Sequence, residues 1–258
     1  MTTSPRIHWL ASFPKSGNTW VRFLLYQYLY GEIKDTAELG RRIPDVHAGD
    51  MARAETGTRT LLVKVHWGFG PRMPHVERTE GIIYIVRRPK DVMLSMLNYY
   101  RLRNPQATWT DEYFVRDYIR NGGDQGSVRN GYGSWEDNLL SWLAQRRFPL
   151  LLVRYEDLKA DAGRELGRML EFLGEPVEAG RVARAVAGST FERMREIEAR
   201  EKAASHSGNV FIGGKAEAER GLMFMSKGRS GATLASIGVP LDREFDERFA
   251  AGSWLAGY

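Results

Sequence analysis

The chain has 258 residues, 43% of them hydrophobic, with 37 lysines and arginines against 32 aspartates and glutamates, a formal charge of +5. That apolar share supports a sizeable core and excludes a wholly disordered chain, while the positive excess leaves nucleic acid, a membrane surface or a phosphorylated cofactor open as anionic partners. With no cysteine, disulfides, thiolate catalysis and cysteine-held zinc or iron–sulfur centres are excluded.

Met1–Arg6 lacks the charged-then-apolar pattern of a signal peptide. The most apolar stretches, such as Trp20–Tyr30 with its Arg22 and Gln27, fall short of a bilayer span. The expectation is a soluble cytoplasmic protein with no membrane partner. Four short apolar runs read as buried parallel strands: Ile7–Ala11, Leu61–Val65, Ile82–Val86 and Leu150–Val153. Between them, Trp20–Tyr30, Asp91–Tyr100 and Trp135–Gln145 show helical spacing. A fourth helix, Ala162–Leu173, carries Leu166, Met169, Leu170 and Leu173 on one face and is stopped by Gly174. This alternation predicts an α/β fold in three layers, a mostly parallel central sheet with helices on both faces. Arg101–Gly133, mixing proline and five glycines with aromatics, and the Gly/Ser/Lys-rich Ala203–Gly238 read as irregular. No repeat or linker divides the chain, so residues 1–258 are read as one domain.

The most informative stretch, Ala11-Ser12-Phe13-Pro14-Lys15-Ser16-Gly17-Asn18-Thr19-Trp20, follows a strand and opens a helix. Backbone N–H groups at a helix start are unpaired and partly positive, and phosphate oxygens bind there. Gly17 lets the backbone turn tightly toward an anion, Lys15 supplies a full charge, and Ser16 and Thr19 supply hydroxyl donors. A plain strand–helix turn capped by Asn18 or Thr19 would read the same way in isolation. The lysine precedes the glycine and the first glycine is missing, so this is not the nucleoside-triphosphate pattern G-x-x-x-x-G-K-[ST]. A nucleoside-triphosphate enzyme also uses a carboxylate closing a second strand to hold Mg²⁺. Here the second and third strands end in Lys64-Val65-His66 and Arg87-Arg88. Ligands of open α/β sheets lie beyond the strands' carboxyl ends, which sets His66 beside the Lys15 loop. His8, His47, His75 and His206 lack comparable context.

Phe13–Trp20 resembles the 5′-phosphosulfate loop of the cytosolic-type sulfotransferases, F-P-K-S-G-T-T-W. Asn18 is the one departure, and its side chain is expected still to donate to an anion. Tyr84–Ser95 resembles that family's 3′-phosphate motif Y-x-x-R-N-P-K-D-V-x-x-S, with Arg87 and Ser95 at the two phosphate-contacting positions, while Lys90 and Asp91 are expected in structural ion pairs. Lys64-Val65-His66 matches its K-x-H, which implies His66 as general base and Lys64 as a helper near the transferring group. Tyr132–Trp135, Tyr155–Leu158 and Ser189–Met194 resemble Y-G-S-W, Y-E-D-L and T-S-F-x-x-M. The resemblance sets Tyr155, Ser189 and Phe191 near the adenine, with Trp20 stacked on its face. Phe224–Gly231 resembles F-x-R-K-G-x-x-G: Lys227 and Gly228 match, Ser226 replaces an arginine, and Arg220 or Arg229 is expected to supply the second cation.

The resemblance implies a P-loop-NTPase-like fold and 3′-phosphoadenosine 5′-phosphosulfate as donor, with no metal. The implied partner is a small-molecule acceptor hydroxyl, a phenol or an alcohol. A nucleotide-kinase-type phosphotransferase and a catalytically inactive nucleotide-binding homologue are the alternatives. A nucleic-acid partner is disfavoured, because the basic residues gather at strand ends instead of alternating with aromatics over an extended face. The loops at Asp35–Thr60, Trp67–His75 and Arg101–Gly126 carry no readable acceptor code.

Overall fold

The computed structural model describes residues 5–49, 51, 60–204, 210–225, 228, 231 and 233–258. Four strands, β1 (Arg6–Ser12), β2 (Thr60–Val65), β3 (Thr79–Val86) and β4 (Leu150–Arg154), form a wholly parallel sheet in the order β2-β1-β3-β4. Central β1 is buried from Ile7 onward, as its unbroken apolar run requires, and Trp9 lies in register with Val63 on β2 and Ile82 on β3. The expected strands are all present, each extended by one to three residues.

Alternate residues of each strand enter two separate cores, as the two-residue period dictates. On one face Ile7, Trp9, Val63, Ile82 and Tyr84 pack with Trp135, Trp142, Phe245 and Phe249. These come from α6 (Trp135–Ala144) and α12 (Val239–Leu255). On the other face Leu10, Leu62, Ile83, Ile85 and Val153 meet α1 (Asn18–Tyr30) and α8 (Ala162–Leu173). The three expected layers are therefore present. Helix α8 ends where the sequence says it should, at Gly174 with φ 72.

The expectation of an irregular Arg101–Gly133 is corrected. It holds α4 (Asp111–Asn121) and α5 (Gln125–Arg129), following α3 (Pro89–Arg103). The Thr110 hydroxyl caps α4 by accepting from Tyr113 N–H, Val115, Tyr118 and Ile119 form its buried stripe, and Gly122 closes it at φ 67. Helices α2 (Thr36–Arg42), α7 (Tyr155–Ala160), α9 (Ala179–Gly188), α10 (Phe191–Ala203) and α11 (Lys215–Glu219), with short 3-10 turns at Val46–Ala48 and Val76–Arg78, complete the described elements. Among the described residues no helix is long and apolar enough to cross a membrane.

Candidate active site

The carboxyl ends of the strands open onto one cavity of about 1230 Å³. Lys15 reaches it from the β1–α1 turn, Thr19 and Trp20 from the first turn of α1, Lys64 and His66 from the end of β2, and Arg87 and Ser95 from the end of β3 and from α3. Tyr155, Phe191, Gly228, Gly17 and Asn18 complete the wall so far as sequence foresaw it. Three predicted residues remain. Ser16 and Ser189 are buried among lining neighbours, and Lys227, with Ser226 and Arg229, lies outside the described residues.

The turn after β1 is built around two left-handed residues, Lys15 at φ 68 and Gly17 at φ 104. A side chain at 17 is forbidden twice over, since a Cβ there would lie 2.6 Å from Cδ2 of Tyr155. Strain in a non-glycine residue such as Lys15 gathers where function repays it. The Lys15 ammonium rests 3.6 Å from the Phe224 ring centroid and 5.1 Å from that of Tyr99. Burial, then Arg87 and Lys64, bring its pKa down to about 7. The Arg87 guanidinium stacks 4.3 Å from the Tyr155 centroid and donates to the Lys15 carbonyl at 3.2 Å, tying the 3′-phosphate candidate to the loop.

Asn18 differs from expectation. Its Nδ2 donates to the Leu10 carbonyl at 2.8 Å and to Ser12 Oγ at 3.2 Å, so this amide closes the end of β1 instead of serving an anion. Arg220 is likewise committed elsewhere, to Glu217 at 3.0 Å and the Ala216 carbonyl. Lys90 forms the expected structural pairs, with Asp242 at 2.6 Å and Asp246 at 2.8 Å on α12. Gly228, at φ 55, lies so close to Phe191 that a Cβ would come 2.8 Å from its Cδ2.

At the end of β2 the His66 Nδ1 is 2.8 Å from the Ser12 carbonyl oxygen, which can only accept. Nδ1 therefore carries the hydrogen and Nε2 is left bare. Burial, with Lys64 and His47, holds the His66 pKa well below the usual imidazole value, so the ring is neutral at pH 7. Lys64 Nζ is 2.5 Å from Asp45 Oδ2, and this pairing holds the Asp45 carboxyl below the ordinary carboxylate range. Asp45 and His47, both within the Asp35–Thr60 segment, line the cavity as well, though no motif marks either one.

Among the described residues, Ser16 Oγ, Trp20 Nε1 and Ser189 Oγ are buried without a protein partner. Buried polar groups ordinarily find partners, and a ligand carrying phosphate oxygens and an adenine would satisfy these three. Among the described residues no three His, Asp or Glu side chains are grouped to hold a metal ion.

Residues 5–255 match the Sulfotransferase domain family. The chain belongs to that family. It is 30% identical over 203 residues to Sulfotransferase 1A1 of Rattus norvegicus, covering 72% of this chain and 66% of the relative. It is 25% identical over 254 residues to Sulfotransferase 1E1 of Cavia porcellus, covering 93% and 80%. A mouse sulfotransferase complexed with PAP superposes over 97% of this chain and 84% of its own, with a TM-score of 0.68 at 23% identity. Retinol dehydratase in complex with androsterone and the inactive cofactor PAP covers 98% and 82%, with a TM-score of 0.72 at 17% identity. The sulfotransferase fold is thus shared across nearly the whole chain.

Proposed function

We propose that this sulfotransferase-family chain moves a sulfonate group from 3′-phosphoadenosine 5′-phosphosulfate to a hydroxyl of a small-molecule acceptor in the cytoplasm. The observation that carries the reading is His66. It is a neutral imidazole at the end of β2, fixed in one tautomer by the Ser12 carbonyl, with Nε2 bare and the Lys15 loop on the neighbouring strand. That is the state a general base needs.

The donor supplies an activated sulfonate for in-line displacement at sulfur. Lys15 and the backbone N–H groups from Ser16 to Thr19 bind its 5′ end and neutralise charge on the departing phosphate oxygen. Arg87, Ser95, Gly228 and Lys227 serve the 3′-phosphate, while Trp20, Tyr155, Ser189 and Phe191 border the base. His66 Nε2 accepts the acceptor's hydroxyl proton as the new O–S bond forms. Lys64 steadies the sulfonate, releasing part of its hold on Asp45. The three orphaned buried polar atoms, in Ser16, Trp20 and Ser189, support the fit of the donor.

The test is incubation with sulfur-labelled donor and a panel of phenols, alcohols and sugars, with EDTA present. Labelled acceptor and stoichiometric adenosine 3′,5′-bisphosphate are the expected products. Phosphoryl transfer from ATP that EDTA abolishes would favour the kinase reading. Tight adenosine 3′,5′-bisphosphate binding with no turnover on any acceptor would favour the inactive homologue.

A further inference from the structure

His47 occupies an unusual place on the sheet. Strand β2 lies at the sheet's edge, and its outward N–H groups need partners. The Lys64 N–H donates to the Pro44 carbonyl at 2.9 Å, and Asp45 forms an isolated parallel bridge with Lys64. Two residues on, the next outward N–H is that of His66, and it donates at 2.8 Å to Nε2 of His47. An imidazole nitrogen thus stands where the carbonyl of a fifth strand would be. The rings of His47 and His66 lie nearly parallel, 13° apart with centroids 5.7 Å from each other. Trp67 and Tyr132 pack edge-on against His47 at 4.4 and 5.0 Å.

We propose that His47 is a positioning residue for sulfonate transfer: its Nε2 fixes the backbone of His66 while the Ser12 carbonyl fixes the ring, and together they aim the base. The inference rests on the sulfonate-transfer reading. Asp45 braces the same turn, accepting from the His47 N–H at 3.0 Å with one oxygen and from Lys64 with the other. One short segment, Pro44–His47, therefore locates both functional groups of β2.

The device works only while His47 is neutral, because an imidazolium carries hydrogen on both nitrogens and cannot accept from His66. Four groups face it with charge or dipole: the Asp45 carboxylate, the Lys64 ammonium, the His66 ring and the Tyr132 ring. Burial outweighs Asp45 and, with Lys64, brings the His47 pKa down to about 4. At low pH turnover should therefore be lost through two protonations, one at His66 and one at His47, and should fall more steeply than one proton allows.

His47→Leu removes the acceptor atom at similar bulk, and His47→Gln restores an oxygen at comparable reach. Acceptor kcat/KM should drop about 10- to 100-fold in the leucine variant, a part of what a positioned base contributes, with the Kd for adenosine 3′,5′-bisphosphate within about twofold. The glutamine variant should recover most of the loss, and its acid limb should have the slope of a single proton. Unimpaired turnover in His47→Leu would overturn the proposal, as would equal loss in both variants with nucleotide binding intact. Should the leucine variant fail to fold, the acid limb of His47→Gln decides alone: a limb as steep as the unmutated protein's refutes it. Wild-type protein that turns over no acceptor would refute the sulfonate reading instead. Amide exchange at His66 reads the His47 bond without turnover, and equal protection in all three proteins would refute the contact itself.

Discussion

Donor binding should weaken steeply as pH rises through neutrality, because the loop cation is itself near its titration point. Burial acts first on Lys15, then the charges of Arg87 and Lys64, and the result is a pKa of about 7. An anion at the loop favours the protonated lysine, so the complex has the higher pKa. Below pH 7 Lys15 is already charged, and this group imposes no pH dependence. Above it, binding must take up a proton, and affinity falls about tenfold per pH unit until the pKa of the complex is reached. At pH 8.5 the loss relative to pH 6.5 should be roughly 30-fold, about 2 kcal/mol. The window suits the assay, since a phosphate's second ionisation lies at about 6 and the ligand is largely charged from neutrality upward. Calorimetric titration with adenosine 3′,5′-bisphosphate from pH 6.5 to 9, in buffers of different ionisation enthalpy, measures both affinity and proton uptake. Uptake should approach one proton per site by pH 8.5, and Lys15→Met should bind weakly with little change over this range. A flat wild-type profile without proton uptake would refute the argument, and so would a methionine variant that keeps the slope.

His66→Ala should lower turnover by about 100-fold or more while nucleotide affinity, read by calorimetry, changes little; near-normal turnover would remove His66 as base. Gly17→Ala forces a Cβ to 2.6 Å from Tyr155 at φ 104, and strain plus overpacking should cost about 2–4 kcal/mol. Thermal denaturation checks that loss, which should come with weakened nucleotide binding because Tyr155 carries the Arg87 guanidinium. Glu198, fully buried, pairs with Lys202 at 2.7 Å and accepts from the N–H groups of Phe224 and Met225. Glu198→Ala should lose about 3–5 kcal/mol, the usual consequence of unpairing a buried charge, measured by chemical denaturation.

How far the sequence could be read depended on how local each signal was. Strands buried on both faces announce themselves as unbroken apolar runs, and β1 to β4 were legible to within a few residues. The anion loop was legible because Lys15 to Trp20 is contiguous, and His66 because it ends a strand. His47 and Asp45 sit in a short turn whose only claim on the site is pairing with β2, 19 residues away. No periodicity encodes that. Helix α4 was obscured by the glycines that follow it, although Thr110 and the 115, 118, 119 spacing were visible. Asn18 misled because an amide at a helix start can serve a ligand or the preceding strand. The Leu10 carbonyl and the Ser12 hydroxyl, buried just behind it, take the amide first.

The electrostatics of the site join donor binding to the chemistry. Lys15, Lys64 and Arg87 all line the cavity, and Arg87 and Lys64 both oppose charge on Lys15. The protein answers each cation differently: Lys64 is matched by Asp45, Arg87 lies on Tyr155 and holds the Lys15 carbonyl, and Lys15 gives up part of its basicity. The same positive field acts on His66, where Lys64 adds to burial in suppressing the imidazolium. A cluster assembled to attract an anionic donor therefore also keeps the base neutral before the donor binds. Once the donor's negative charge raises the Lys15 pKa, it must also soften the penalty on the His66 imidazolium. The proton drawn from the acceptor would then be better tolerated on His66 in the loaded site than in the protein alone. Replacing Lys64 with methionine should accordingly raise the His66 pKa, by removing the largest charge that opposes it. The acid limb of turnover should move to higher pH, and an acid limb left in place would show that burial alone sets the base.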